Sequence, residues 1–285
     1  SNFINIDSKE FRLTSHELYF IKKANKSVWV DFLIHRYRFK KYPLEKKATP
    51  FPVHVLIEPT SVCNLRCIMC FQIDKSFSHN KDFMGFMDMD LYNKLIDEIS
   101  ENGCKSVTLA SRGEPTLHKK FDLMLDKLSQ KNIYDSKINT NATILTDNLI
   151  HSILSNNIAV VTFSVDASNK ETYERIRVKG KFEKVLNNIK RFKEIRDADY
   201  PNHITQTRIS GVAVENTQSP KEMENFWKKY VDIVSIKKEI PKWDSYNNPI
   251  HNKEAVCGWL YERLYVWFDG ICVPCDFDYK SYLKL

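Results

Sequence analysis

The stretch VHVLIEPTSVCNLRCIMCF (residues 53–71) joins an apolar run to three closely spaced cysteines. The run VHVLIE (53–58) is rich in β-branched residues and leads into a proline, which predicts a buried strand followed by a loop. That loop carries Cys63, Cys67 and Cys70 with the spacing C-x3-C-x2-C. Thiolates gathered in this way favour zinc or an iron–sulfur cluster.

The supply of nearby ligands separates these two metal centres. A structural zinc takes four Cys or His ligands, but the nearest histidines are His54, on the predicted strand, and His79, nine residues beyond Cys70. Zinc therefore requires a remote ligand. Three cysteines on a [4Fe-4S] cluster would leave one iron open to bind and reduce a small molecule, so the sequence favours such a cluster.

Short β-branched runs alternate with stretches of helical period from residue 53 to 237, which indicates βα units on a parallel sheet. A loop of about 30 residues after the first strand favours a curved sheet over a flat one. We predict an α/β fold with a partial (β/α)6 TIM-like barrel, whose functional residues lie at the carboxyl ends of the strands. The predicted strands are VHVLIE (53–58), KSVTLA (105–110), DSKINT (135–140), AVVTFSVD (159–166), TQTRISGVAV (205–214) and VDIVSIK (231–237).

Polar motifs follow these strands in an order that resembles the radical S-adenosylmethionine (SAM) superfamily. SRGEP (111–115) is similar to the family's Gly-Gly-Glu-Pro segment, with Arg112 in place of the first glycine. NTNATIL (139–145) looks like its Thr-Asn-Gly loop, and FSVDA (163–167) looks like its Ser-x-Asp motif. ETYERIRVKGKFEKV (171–185) is similar to its Tyr-Glu-x-Ile-Arg motif with the following Gly and Phe. Each motif alone is ordinary, but their order indicates one site.

The resemblance implies a [4Fe-4S] cluster on Cys63, Cys67 and Cys70, together with a SAM site. A guanidinium matches the SAM carboxylate bidentately, which suits an arginine in this role. Arg112 raises a question about the local backbone, because glycine adopts φ values that arginine disfavours. The implied SAM contacts are Gly113 and Glu114 at the amino group, Asn141 in the Thr-Asn-Gly loop, Ser164 at the ribose or carboxylate, Arg177 at the carboxylate and Met69 at the adenine.

The chain has seven cysteines, an odd number that favours metal or redox chemistry over a disulfide framework. Cys104 stands apart and is expected to be a small buried thiol. Cys257, Cys272 and Cys275 form a second group near the end of the sequence. Between them, LYVWF and ICV flank Asp269-Gly270, a pair that predicts a hairpin with a type I′ turn.

The second cysteine group resembles the start of the SPASM and twitch extensions, which implies an auxiliary [4Fe-4S] cluster on Cys257 and Cys275. The later cysteine pair of those extensions is not found before Leu285. Three explanations stay open: the natural protein continues further, Cys272 and a non-cysteine ligand complete the site, or the auxiliary cluster is lost. We expect the first, with Cys272 as a third ligand. A zinc ribbon or an unligated hairpin is the alternative for this group.

Residues 1–50 carry eleven Lys and Arg against five Asp and Glu, and so contain most of the net charge of +7. We predict a basic helical extension there, whose aromatic side chains cap the barrel rather than bind a membrane. No motif of interleaved aromatic and basic residues predicts a nucleic-acid partner. The predicted organisation is therefore this extension, a barrel over 51–240, and a truncated auxiliary-cluster segment over 241–285. No signal peptide or apolar run of membrane-spanning length is present, so a cytoplasmic location is expected.

As the resemblance implies, the predicted function is reductive SAM cleavage that yields a 5′-deoxyadenosyl radical. Over residues 53–283 the chain looks most like family members associated with polysaccharide and sugar-nucleotide biosynthesis, which implies a small sugar-like or sugar-nucleotide-like substrate. We expect oxidation as the reaction and a reductase or flavodoxin as the electron donor. Asp244 is a candidate base for that oxidation. The alternatives are an epimerase with Cys272 as hydrogen donor, a peptide-modifying maturase, and a zinc- or cluster-containing binding or electron-carrier protein.

Overall fold

The computed structural model describes residues 11–214, 218–238, 244–247 and 256–285. Its strands are β1 (His54–Ile57), β2 (Arg66–Cys67), β3 (Ser106–Leu109), β4 (Asp135–Thr140), β5 (Val160–Ser164), β6 (Arg177–Val178), β7 (Gln206–Ala213), β8 (Ile233–Lys238), β9 (Arg263–Val266) and β10 (Cys272–Val273). Its α-helices are α1 (Ser15–Lys23), α2 (Trp29–Glu45), α3 (Lys75–Ser78), α4 (Met89–Glu101), α5 (Phe121–Ser129), α6 (Asp147–Ser155), α7 (Lys170–Ile176), α8 (Phe182–Asp199) and α9 (Pro220–Trp227).

The large sheet has the strand order β10-β9-β1-β3-β4-β5-β7-β8. All neighbours pair in parallel except β9 and β10, which are antiparallel. Each of the six predicted strands is present, and helices separate them along the chain, so the predicted α/β fold with a partial TIM-like barrel is confirmed. The sheet is open between β8 and β10, which are not paired with each other.

Alternation along the strands separates an apolar outer face from a polar inner face. Val55, Ile57, Ile138 and Phe163 point outward and pack in the main core with the surrounding helices. The intervening residues of β4, such as Lys137, point inward toward the barrel lumen. The core therefore lies between sheet and helices, and the lumen is left for binding.

The helices begin and end where local signals predict. Asp88 caps α4 by accepting a hydrogen bond from the backbone N–H of Asp90, and Gly103 follows the helix with a φ of +71°. Ser219 caps α9, and Pro220 is its first residue. Both helices therefore begin at the N-cap residues that the sequence predicts.

The N-terminal extension forms two α-helices rather than one continuous helix. Phe20 of α1 stacks on Phe32 of α2 with ring centroids 4.2 Å apart, and both pack against Ala159 and Val160 at the start of β5. They cover the amino-terminal end of the barrel, where the sequence predicted aromatic capping. No described helix combines the length and apolarity that a membrane crossing requires.

The C-terminal hairpin extends the barrel sheet, because β9 pairs in parallel with β1. The predicted type I′ turn is wrong. Gly270 has a φ of +86°, but Asp269 is not in the positive-φ region, and the N–H of Gly270 donates to the carbonyl of Trp267 over 3.0 Å. The connection is a three-residue loop whose last residue, Gly270, supplies the left-handed conformation.

Candidate functional site

The thiols of Cys63, Cys67 and Cys70 line one cavity of about 310 Å³ at the carboxyl end of the strands. The short antiparallel pair β2–β6 places Cys67 opposite Arg177. The N–H of Ile68 extends this pairing by donating to a carbonyl at the end of α7 over 3.0 Å. The cysteine loop is therefore held against the Arg177 motif by backbone bonds.

Burial raises the pKa of Cys63 to about 12, although the N–H of Leu65 donates to its sulfur and acts in the opposite direction. Burial also raises the pKa of Cys67, despite the nearby charge of Arg177. Thiols in this setting stay protonated unless a metal centre displaces the proton.

The three thiols fit a [4Fe-4S] cluster by their chemistry and by sharing one cavity. Among the described residues, no group of three or more Cys, His, Asp or Glu is close enough to share a single ion. A four-iron cluster takes its thiolates on different irons. The donor set therefore agrees with the cluster that the sequence predicts.

Gly113 lies where the backbone of the loop after β1 crosses the end of β3. A Cβ atom at this position would lie 2.3 Å from the carbonyl oxygen of Thr60 and 2.5 Å from that of Val62. Only glycine allows this approach. The positive φ in this segment belongs to Ser111, at 125°, and not to Arg112. The arginine is thus accommodated without the backbone conformation that glycine would favour.

Glu114 ties the ends of β3 and β4 together. Its buried carboxylate accepts hydrogen bonds from the hydroxyls of Thr116 and Thr140, at 2.7 and 2.6 Å, and from the N–H of Asn141 at 2.6 Å. Burial raises its pKa, and these donors partly offset that effect. Glu114 therefore positions the Asn141 loop in addition to lining the cavity.

Asn141 lies between the cysteine loop and the end of β4. Its side-chain amide donates to Asn64 over 2.9 Å and lies 4.0 Å from the sulfur of Cys63. Thr143 donates back to the side-chain oxygen Oδ1 of Asn141 through both its N–H and its hydroxyl. Ala142, where the family has glycine, has a φ of +59°. This loop therefore keeps the left-handed turn of a Thr-Asn-Gly segment without its glycine.

Ser164 and Arg177 complete the predicted SAM contacts on the far side of the cavity. Arg177 donates through Nε to Asp166 over 2.7 Å, and Asp166 accepts the N–H of Val212 over 2.8 Å. Burial lowers the pKa of Arg177, but the charge of Asp166 and its hydrogen bond help to outweigh it and raise the pKa overall. Asp166 thus fixes the orientation of the guanidinium. Met69 and the other predicted SAM contacts line the same cavity.

Arg112 has a role that the sequence did not predict. It donates through Nε and Nη2 to Glu58, at 2.8 and 2.6 Å, and through Nη1 to the carbonyl of Tyr279 over 2.9 Å. Its guanidinium also lies over the ring of Trp267, 4.2 Å from the centroid. The residue in place of a glycine therefore ties the end of β1 to the C-terminal segment.

The C-terminal segment 274–285 forms one wall of the site, since Asp276 lines the cavity. Tyr279 stacks on Phe71 with centroids 4.9 Å apart and donates its hydroxyl to Asp74 over 2.8 Å. Burial raises the pKa of Asp74, but hydrogen bonds from Lys280 and neighbouring groups outweigh it and lower the pKa overall. Sequence motifs did not predict this wall, since its contacts join residues about 200 positions apart.

Asp244 lies in the short described turn 244–247, where its side chain accepts a hydrogen bond from Asn247. It is not among the residues that line the cavity of the three cysteines, whereas Asp276 is. Because a base must reach its substrate, Asp276 is the better placed of these two carboxylates.

Like the first group, Cys257, Cys272 and Cys275 do not converge closely enough to share a single ion in the described residues. Cys257 is exposed, and Cys272 packs against the outer core, where burial raises its pKa. Cys275 directly precedes Asp276 at the cavity wall and lies near Tyr265. The auxiliary-cluster ligand set stays a prediction, and Cys272 lies apart from the cavity that would hold substrate. Cys104 is buried, as expected, with its thiol 3.3 Å from the carbonyl of Val53.

The model of the radical SAM superfamily matches residues 57–226. A curated relative, the tungsten-containing aldehyde ferredoxin oxidoreductase cofactor-modifying protein of Pyrococcus furiosus, is 34% identical over 40% of this chain and 30% of its own length. A probable GTP 3′,8-cyclase of Methanococcus maripaludis is 26% identical over 64% of this chain and 57% of its own length. The chain thus spans less than two thirds of either relative.

Among solved structures, Streptococcus suis SuiB bound to S-adenosylmethionine superposes with a TM-score of 0.64 at 15% identity. The match covers 92% of this chain and 69% of SuiB. This likeness supports the fold described above.

Proposed function

Because this chain belongs to the radical SAM superfamily, we propose that it binds a [4Fe-4S] cluster through Cys63, Cys67 and Cys70 and cleaves SAM. When bound, the cluster would supply one electron to SAM, releasing methionine and a 5′-deoxyadenosyl radical that takes a hydrogen atom from the substrate. One observation carries the proposal. The three thiols and all six predicted SAM contacts, which come from five separate segments, line a single cavity.

The chain's own groups would orient SAM. Arg177, held by Asp166, would bind the SAM carboxylate, and the turn around Gly113 would approach its amino group closely because no Cβ intervenes. Ser164 would donate to the ribose or carboxylate. Met69 would pack on the adenine. Burial of these groups would exclude water, and orientation of this kind is the main protein contribution to radical chemistry.

For the substrate, we propose a small, hydroxyl-rich molecule of the sugar type and oxidation as the reaction. A polar inner face supports this choice, because TIM-like barrels commonly fill that face with apolar side chains, whereas here it carries His54, Thr108, Lys137 and Asn139. Oxidation of a carbinol requires a base, and Asp276 would accept the hydroxyl proton. A cluster on Cys257 and Cys275 would accept the second electron, and a flavodoxin-type reductase would supply the first.

The test compares SAM cleavage in two cysteine variants after anaerobic reconstitution. Cys67→Ala should abolish formation of 5′-deoxyadenosine, because it removes a ligand of the proposed cluster. Cys104→Ala removes a buried thiol away from the cavity and should retain cleavage. Iron and sulfide analysis and mass spectrometry of the nucleoside are the readouts. A reconstituted wild type that holds about four more irons per chain than Cys67→Ala, yet never forms 5′-deoxyadenosine with any reductant, would refute the proposal.

A further inference from the structure

A second cavity of about 800 Å³ occupies the barrel lumen toward the amino-terminal ends of the strands. It shares Leu56 and Asn139 with the SAM cavity, so the two adjoin. Its volume is that of a small-molecule site. Residues of α1 and α2, including His16 and Arg36, cover its far end.

Two cations in this lumen have no carboxylate bonded to them among the described residues. Asp135 is bound by Arg36 at 2.8 Å, and Asp232 is bound by Arg196 at 2.6 Å. By contrast, no described ion pair involves Lys137 or Arg208. Burial and the charge of Arg208 lower the pKa of Lys137 to about 8, and burial alone lowers that of Arg208. The folded chain therefore places two like charges in one cavity, neither with an ion pair among the described residues, although Asp135 lies near enough to Lys137 to oppose the lowering of its pKa.

A row of unsatisfied polar groups crosses the same inner face. Asn139, Thr162 and Arg208 are directly paired in register across β4, β5 and β7. In each, one polar atom is buried without a hydrogen-bond partner among the described residues, namely Oδ1, Oγ1 and Nε. Buried polar atoms without partners are costly. Asn139 and Arg208 line the second cavity, and Thr162 lies between them on β5, so a ligand in the cavity would meet this row once the side chains turn toward it.

We propose that this row and Lys137 bind an anionic group of the substrate, a phosphate or a carboxylate. Arg208 and Lys137 provide the charge, the Thr162 hydroxyl donates, and the Asn139 side chain donates after an amide flip that turns its NH2 group to the ligand. Ser164 is level with Ser210, two residues beyond Arg208. At about 3.3 Å per residue, the row lies about 7 Å below the Ser164 level. That distance leaves room for roughly one sugar ring between the anion and SAM.

This inference rests on the proposed function only in placing the anion on the substrate. The test titrates inorganic pyrophosphate and, separately, malonate into the reconstituted holoprotein with saturating SAM, by calorimetry. We expect saturable binding with one site per chain. Arg208→Met and Lys137→Met should each weaken it at least tenfold. Lys184→Met removes the same charge from an exposed position on α8 and should leave binding unchanged.

Thr162→Val provides a variant that keeps every charge and nearly the same shape. It should weaken binding severalfold while leaving the melting temperature unchanged or higher, because it removes an unsatisfied hydroxyl. Tighter binding of pyrophosphate than of malonate would indicate a phosphate site, and the reverse would indicate a carboxylate site. Absence of saturable binding for both, or equal weakening by Lys184→Met, would overturn the inference. Failure of wild type to form 5′-deoxyadenosine in the same preparation would overturn only the proposed function.

Discussion

Replacing Arg112 by methionine should destabilise the protein by about 3–5 kcal/mol, the usual cost of breaking a buried ion pair from one side. The change removes three side-chain hydrogen bonds, two to Glu58 and one to the carbonyl of Tyr279. Among the described residues, the Glu58 carboxylate, which is 0% exposed, would keep only the N–H groups of residue 112 and Phe268 as partners. Urea unfolding under anaerobic conditions, followed by tryptophan fluorescence, measures the loss.

A second substitution separates the buried charge from the lost packing. Glu58→Gln in the Arg112→Met background keeps an acceptor for the two N–H groups but removes the unpaired charge, and should recover about 2 kcal/mol. Arg191→Met is the matched control. Its guanidinium contacts Asp147 over 2.7 Å with similar geometry, but both side chains are about half exposed, at 51% and 52%. This control should change stability by less than about 1 kcal/mol. Additive effects of the two buried substitutions would refute the reasoning.

Three further substitutions test the site. Gly113→Ala should lower the free energy of unfolding by at least about 2 kcal/mol and weaken SAM binding, because its Cβ would lie 2.3 Å from the Thr60 carbonyl oxygen. Unchanged urea unfolding and unchanged SAM affinity would contradict this. Lys137, with a folded pKa of about 8 beside Arg208 and an unfolded value near 10.4, binds fewer protons when folded. Wild-type unfolding free energy should therefore rise by up to about 3 kcal/mol between pH 8 and 10.4. Lys137→Met should lose that rise in unfolding free energy. If the variant keeps the same dependence of unfolding free energy on pH, the assignment to Lys137 is wrong. Arg177→Lys should weaken SAM binding about tenfold in equilibrium dialysis, because an ammonium cannot hold Asp166 and a carboxylate in the same fork geometry; equal affinity would exclude that role.

The barrel strands were predictable because their signals are local. Runs such as VHVLIE and AVVTFSVD are apolar and β-branched, and caps such as Asp88 act within one helical turn. The cysteine spacing is equally local. Motif order then predicted which residues meet in the cavity, since parallel strands bring their carboxyl ends to one edge. What these residues do there stays a prediction.

The hairpin and the C-terminal wall were harder because their partners are distant in sequence. Nothing in LYVWF indicates that β9 pairs with β1, about 200 residues earlier. Arg112 was interpreted as a departure from a glycine, and its partners Glu58 and Tyr279 lie on two other segments. The lumen cations had a local signal that was not used. In DSKINT, alternation places Lys137 and Asn139 on the face opposite the buried Ile138.

The match to the radical SAM family model ends at residue 226, but a residue beyond that point also lines the cavity. Asp276 comes from the segment after β10, and that segment is held by the bond from Arg112 to the carbonyl of Tyr279. The ring of Tyr279 also stacks on Phe71, which is next to Cys70. The C-terminal segment therefore covers the loop that carries the three cysteines. The elements that would cleave SAM and the wall that would face substrate are therefore coupled through one buried guanidinium. A chain with glycine at position 112 would need another means of closing this side of the site.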